Sequence, residues 1–248
     1  MDSLIKLYQQ RLGLQDAIFS RIDHEEGIVA TVYQVILPSG KKRILKVCQK
    51  PVDYFNEIYL LKNLVNLRVP RVFHELPPEN EINGAILMEY LTGELLKKED
   101  FTEPLLYEIG RQLACIHEHK AARYGDHTRM NELEADPLHY FASKFEEVFS
   151  ECKDHLPKIV SEKCYRYYTT HQHLLSGVDG PCFTHRDFRP GNLIVKDNKL
   201  QGIIDWSAAR GGFAEEDFCP IEHGEWQIRP EDKNAFLNGY SSVRPVPN

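Results

Sequence analysis

Apolar positions change their period once along the chain, near Gly93. Before it the pattern is that of strands. AIFSRI from Ala17 and IVATVYQVIL from Ile28 to Leu37 are dense in β-branched residues, PSGK from Pro38 to Lys41 reads as a turn, and RILKV from Arg43 to Val47 returns as a strand. One helix interrupts them: DYFNEIYLLKNL, Asp53 to Leu64, sets Phe55, Ile58, Tyr59 and Leu61 at helical spacing. AILMEYL, Ala85 to Leu91, is a further buried strand, ended by Thr92 and Gly93.

After Gly93 the period becomes helical. Leu105 to His119 carries a stripe of Leu106, Ile109, Leu113 and Ile116, and Pro137 to Cys152, Ile159 to Leu175 and Glu231 to Tyr240 read as further helices. No internal repeat or low-complexity segment is present. The expectation is an α+β chain: a small β-rich lobe over residues 1–92, then a larger, mostly helical lobe over 93–248.

Composition narrows the function. The chain has 248 residues, 42% hydrophobic and 27% charged, with a net charge of −7. That sign disfavours a nucleic-acid partner, whose backbone would be repelled, and suits a neutral or cationic small molecule. Six cysteines are scattered with no CxxC pair, which speaks against a zinc ribbon or a disulfide scaffold and for a reducing compartment. MDSLIKLYQQRLGLQ is amphipathic without the apolar core of a signal peptide, and no run approaches the roughly 18 apolar residues of a membrane span. The expectation is a cytoplasmic protein with no membrane partner. Oligomeric state is not legible.

The chemistry concentrates in THRDFRPGNLIVKDNKLQGIIDW, Thr184 to Trp206. LIV and LQGIID are short strands around KDNK, and Asp197-Asn198 suits the positive-φ positions of a two-residue hairpin. With those two at the centre, Lys196 faces Lys199 and Asn192 faces Ile203, so Asp205 lies at the same open end as Asn192. An amide oxygen and a carboxylate converging there suit Mg²⁺, which takes few protein ligands and completes its shell with water and phosphate. Asp187 stands five residues before Asn192, in a loop that Arg189-Pro190-Gly191 keeps irregular. A carboxylate beside a metal-bound phosphate can accept the proton of an attacking hydroxyl. His185 is expected to brace the loop. The plainer reading is an ordinary hairpin after a charged loop; four polar positions together weigh against it.

H-R-D-x-x-x-x-N followed by a strand ending I-D-W resembles the aminoglycoside phosphotransferase and choline kinase family, small-molecule relatives of protein kinases. The resemblance implies a two-lobed protein-kinase-like fold, ATP or GTP as co-substrate, Asp187 as catalytic base, and Asn192 and Asp205 as magnesium ligands. It also asks for a strand lysine paired with a helix glutamate. Lys46 in I-L-K-V and Glu57 in the following helix fit, with Asp53 as the rival partner. ILMEYL matches the strand entering the hinge, where Met88 would line the pocket and the backbone of Glu89, Tyr90 and Leu91 would meet adenine. LACIHEH, Leu113 to His119, resembles the helix beneath the catalytic loop. His117 and His119 are two apart, as are His171 and His173, so neither is a zinc pair on one helix face. The resemblance spans roughly residues 15 to 240. It departs at D-H-E-E-G-I-V-A-T, which has the single Gly27 and no G-x-G-x-x-G, and where Glu25 and Glu26 would repel a triphosphate.

From Asp205 to Asp232 eight acids face two bases. Such a wall beside the metal site would draw an ammonium group, making an amine-bearing alcohol, such as an aminoglycoside or a choline-like compound, the expected acceptor. Asp217, Glu222 and Glu225 are the substrate-side candidates, although Asp217 also resembles a structural family position. Tyr90, Trp206 and Trp226 are candidate cation–π partners, against the commoner core role of tryptophan. The alternatives are a protein kinase, disfavoured by Trp206-Ser207 after Asp205 and the lack of an A-P-E motif, and a non-catalytic nucleotide-binding protein of the same fold. A metal-dependent hydrolase would leave Lys46 and Glu57 unexplained.

Overall fold

The computed structural model describes residues 3–22 and 30–247. Its first part runs α1 (Ser3–Leu12), β1 (Ile18–Ile22), β2 (Ala30–Ile36), β3 (Lys42–Cys48), α2 (Pro51–Asn63), β4 (Val72–Leu76) and β5 (Ala85–Glu89). The five strands form one antiparallel sheet in the order β1-β2-β3-β5-β4. Alternation along the strands sorts its two faces. Tyr33, Val35, Leu45, Val47, Ala85 and Leu87 cluster with Tyr8 of α1, whereas Ile44, Cys48, Ile86 and Met88 meet Tyr54 and Ile58 of α2. Lys46 falls between Ile44 and Cys48, so its parity sends it to the α2 face.

The α2 stripe differs from the expected one. Phe55 and Tyr59 are 44% and 37% exposed, and the buried residues are Tyr54, Asn56, Glu57, Ile58, Leu60 and Leu61. Residues 54, 57, 58 and 61 are one helical face, rotated from the most apolar one because it must carry Glu57 toward the sheet. β4 was not expected. It is an edge strand of intermediate exposure with an irregular register between Val72 and His74, too weak a pattern to be read from VFHEL alone.

The second part runs β6 (Glu94–Leu95), α3 (Glu103–His117), α4 (Pro137–Cys152), α5 (Lys158–His171), β7 (Cys182–Thr184), β8 (Leu193–Lys196), β9 (Lys199–Ile203), β10 (Arg210–Gly212), α6 (Cys219–Glu222) and α7 (Pro230–Ser241). α3 starts where the Thr102 side chain accepts the Leu105 N–H, with Pro104 in the first turn. Its expected stripe is buried in full, and α7 packs along it. The two helices touch backbone to backbone: a Cβ on Gly110 would lie 2.0 Å from the Phe236 carbonyl oxygen, and one on Gly239 2.0 Å from that of Tyr107. α4 and α5 form an outlying pair held by ring stacking, Phe145 on Tyr168 at 3.9 Å, with only Tyr140 fully buried in α4 and no residue in α5.

One large apolar core ties the parts together. Leu60 and Leu61 of α2, with Leu64 and Val69 just after it, join α3, α7 and the β8–β9 hairpin in one cluster. Two small sheets complete this region, β6-β8-β9 and β10-β7. The stretch from Thr184 to Trp206 begins on the last residue of β7 and contains β8 and β9, so it is held by the pairing of β6 with β8 and of β10 with β7. No helix among the described residues is long and apolar enough to cross a membrane.

Candidate active site

The β8–β9 turn has the conformation expected: Asp197 and Asn198 sit at φ +50° and +58°, with Lys196 opposite Lys199. The register beyond it differs. An irregularity at Ile194/Val195 shifts the pairing, so that Leu193 faces Ile203 and the Ile204 N–H bonds the Asn192 carbonyl at 2.9 Å. Asn192 therefore opposes Ile204 rather than Ile203, one residue closer to Asp205 than an unbroken ladder would allow.

Asp187 is held on both sides. Asn192 Nδ2 donates to its Oδ2 at 2.7 Å and to its backbone carbonyl at 2.8 Å, and Arg189 Nε donates to Oδ1 and Oδ2 at 3.0 and 3.2 Å. His185 is fully buried against the Trp206 ring, with Nε2 3.0 Å from the Ile204 carbonyl and Nδ1 accepting the Asp187 N–H at 3.3 Å. One nitrogen donates and the other accepts, which describes a neutral ring, and burial lowers its pKa from the usual value. The expected bracing role has a concrete form: the ring links the Asp187 loop to the chain just before Asp205.

Lys46 is the second centre. Its Nζ lies 2.5 Å from Glu57 Oε2 and 2.7 Å from Asp205 Oδ1, so Glu57 and not Asp53 is the helix partner. Burial alone would lower the lysine pKa, but the two carboxylates outweigh it and hold the ammonium charged. Asp205 shows the mirror effect. Burial would raise its pKa, yet Lys46 and the Ser207 hydroxyl at 2.8 Å bring it down to about 2. Asp205 and Arg186 both hold the left-handed backbone conformation, at φ +62° and +65°, which non-glycine residues keep only where the surroundings enforce it.

The enforcing group at Arg186 is Asp217. Its carboxylate accepts the N–H of His185 at 2.7 Å and of Arg186 at 2.5 Å, and it contacts His117 Nε2 at 3.0 Å, whose Nδ1 reaches the Tyr240 hydroxyl at 2.8 Å. Asp217 is wholly buried. It is an anchor, not a substrate-facing acid. The acidic wall largely dissolves on the same grounds. Glu222 pairs with Lys233, Asp232 and Glu231 with Arg229, Glu215 accepts the Asp179 N–H, and Glu216 faces Arg186. Glu222 and Glu225 are on the surface, and among the described residues neither bonds the Asp187 loop. Trp206 and Trp226 are core residues whose indole N–H groups bond the Ile203 and Phe188 carbonyls, so no cation reaches their faces.

On the strand side Met88 is buried opposite Ile44 on the Lys46 face. The Glu89 N–H is used by the Arg71 carbonyl at 2.8 Å and its carboxylate accepts the Arg71 N–H, which removes that amide from the groups expected to face adenine. The Glu89 carbonyl and the backbone of Tyr90 and Leu91 remain. Tyr90 has Lys42 5.2 Å from its ring centre. The Gly27 loop, with Glu25 and Glu26, lies outside the described residues.

Asn192 and Asp205 fit a hard cation. Asn192 spends its NH₂ on Asp187, and among the described residues neither Asn192 Oδ1 nor Asp205 Oδ2 accepts a hydrogen bond. No group of three or more His, Cys, Asp or Glu among the described residues could hold a metal alone. Two free oxygen donors suit an ion whose shell is shared with phosphate and water. Sequence reasoning missed Arg189 and Ser207, and only the two-residue spacing of each from Asp187 and Asp205 hinted at them; for Asp217 it offered both a substrate-side and a structural position, and the buried anchor is the structural one.

The model of the phosphotransferase enzyme family APH matches residues 22–245. No curated protein matches the chain. Among solved structures it is similar to the streptomycin–ATP–APH(2″)-IIa ternary complex, at 18% identity and a TM-score of 0.69 over 97% of this chain and 84% of that one. It is similar to the macrolide 2′-phosphotransferase MphH of Brachybacterium faecium, at 17% identity and 0.68 over 100% and 84%. It also resembles a protein of Thermobifida fusca assigned as a fructosamine-3-kinase, at 17% identity and 0.70 over 99% and 85%. These likenesses establish a two-lobed protein-kinase-like fold. With nine-tenths of its length matched, the chain belongs to the APH phosphotransferase family and is a small-molecule kinase.

Proposed function

We propose that the protein transfers the γ-phosphate of ATP or GTP to a hydroxyl of a small molecule, with Asp187 as base. The observation that carries this is the triple contact of Lys46, Glu57 and Asp205. A sheet lysine, a helix glutamate and the acid after β9 meet at one point, which supports reading the sheet part (1–92) as the nucleotide side and the rest (93–248) as the acceptor side.

Lys46, kept charged by its two partners, positions the α- and β-phosphates, and Glu57 fixes the lysine. Met88 and the Glu89 carbonyl, with the backbone of Tyr90 and Leu91, form the adenine edge. Asn192 and Asp205 would hold Mg²⁺, which when bound offsets phosphate charge. Asp187 takes the proton of the acceptor hydroxyl as its oxygen bonds phosphorus and the bridging oxygen leaves with the nucleoside diphosphate. Arg189 and Asn192 hold the Asp187 carboxylate in one orientation, which a base needs for in-line attack. The ATP and streptomycin of one structural neighbour support the co-substrate and the size of the acceptor. An acceptor amine would meet Glu222 or Glu225, two of the acids that stay exposed beyond the loop.

The test is thermal melting with Mg·ATP and Mg·GTP. At about 100 times Kd, binding adds about 2.7 kcal/mol, a rise of roughly 5–11 °C for a chain of this size. The rise should need magnesium and vanish in Asp205→Ala. No shift with either nucleotide would refute the proposal.

A further inference from the structure

Glu216 is a largely covered acid that phosphoryl transfer as described leaves without a task. Its Oε1 lies 3.4 Å from Arg186 Nε and its Oε2 3.5 Å from Thr184 Oγ1, and the side chain is 15% exposed. Thr184 is the cross-strand partner of Arg210, so those side chains leave the same face of the β7–β10 ribbon. Arg210 there donates to the Tyr140 hydroxyl at 2.9 Å and acts on Glu216 by its charge. The carboxylate reaches this face only because residue 212 is glycine: a Cβ there would lie 2.0 Å from Glu216 Oε2 and 2.6 Å from Thr184 Oγ1. The next residue, Asp217, holds the His185 and Arg186 amides. Two successive acids thus grip residues 184–186, directly before Asp187, one through side chains and one through the backbone.

We propose that Glu216 is a positioning residue for the transfer reaction: by holding Thr184 and the Arg186 side chain it supports, beside the backbone grip of Asp217, the left-handed turn at Arg186 and keeps Asp187 aimed at the acceptor. The inference rests on the reading of Asp187 as base. The groups facing Glu216 are Arg210 of β10, Thr184 of β7, Arg186 of the loop, Tyr140 of α4, and Asp217 and Cys219 of its own segment. Burial pushes the Glu216 carboxyl up to about 7, with Arg210 opposing and Asp217 adding to the rise. The grip is charged above neutrality and neutral below it, so transfer falls on the acid side through kcat and not through nucleotide binding.

The experiment compares the wild type with Glu216→Gln and Glu216→Asp from about pH 5.5 to 8.5. Two readouts are taken: Mg·ATP turnover with water or an accepting alcohol, and hydrogen exchange at the His185 and Arg186 amides. Expected are an acid limb near pH 7 in wild-type kcat with a flat KM for ATP, a loss of about tenfold in kcat and of the limb in Glu216→Gln, and partial return of both in Glu216→Asp. The two amides should exchange faster in Glu216→Gln above about pH 7 and at the wild-type rate at the acid end, where the wild-type carboxyl is neutral as well. Wild-type kcat, limb and exchange in Glu216→Gln would overturn the proposal. If the wild type neither turns over nor shifts with Mg·ATP, the kinase reading fails by itself, and exchange at the alkaline end decides alone: equal rates refute the grip, faster rates support it. If Glu216→Gln does not fold, Arg186→Gln removes the same contact from the surface side, and an acid limb retained in it refutes the proposal.

Discussion

Lys46 and Asp205, 159 residues apart in the chain, are joined by an ion pair of 2.7 Å. It is the direct charge link between the sheet and the segment that follows β9, and Glu57 completes it from α2. Lys46 and Glu57 stay buried and charged at low cost only while each satisfies the other, with the half-exposed Asp205 as the third member, and that mutual dependence makes the contact sensitive to any single change.

Lys46→Met leaves Glu57 buried beside an apolar chain. The expected loss is about 3–5 kcal/mol in urea unfolding, largely recovered in the double variant Lys46→Met/Glu57→Gln, while Mg·ATP turnover is lost in both. Equal stability of the single and double variants would contradict the interdependence.

Asp187→Ala should fold as the wild type does, because the residue is partly exposed and Asn192 keeps its bond to the 187 carbonyl. Transfer should fall about 10²–10⁴-fold with the Mg·ATP melting shift preserved. A variant that transfers phosphate at the normal rate would remove Asp187 from the role of base.

The lowered Asp205 carboxyl predicts an acid weakness. With a folded pKa of about 2 against a usual 3.8, the group contributes stability that is fully present above 3.8 and lost as pH falls toward 2. Because the side chain is 40% exposed, the screened contribution is about 1 kcal/mol. Urea titrations at successive pH values should show this margin narrowing in the wild type and absent in Asp205→Asn.

Asp217 and Glu222 separate anchoring from acceptor binding. Asp217→Ala strands two buried amides and His117, so a loss of about 3 kcal/mol or more is expected in thermal unfolding. Glu222→Gln loses an exposed pair and should change stability by less than about 0.5 kcal/mol. If an acceptor amine lies there, its only effect is a raised KM for that acceptor. A stable Asp217→Ala variant altered in KM alone would restore Asp217 to the substrate side.

How much of this was legible in the chain varies with the range of the physics. The hairpin at Asp197-Asn198 and the α3 stripe were readable because turn conformation and helical burial are decided by neighbours in sequence. Lys46 and Glu57 could be paired because the family resemblance asks for a strand lysine and a glutamate in the next helix, although the apolar stripe read for that helix did not bring Glu57 inward. The rest was not local. The stripe of α2 turned away from its most apolar side to bring Glu57 inward, and a shifted register set Asn192 against Ile204. The acids after Asp205 looked like one charged wall because sequence shows charge without its partners. Folding gave Asp217 two amides and a histidine, Glu222 a lysine and Glu216 an arginine, each from elsewhere in the chain. Residue types and their spacing determined which chemistry the chain carries; only the tertiary structure decided which charges remain available to perform it, because a buried ionic group must find its partner wherever the packing places one.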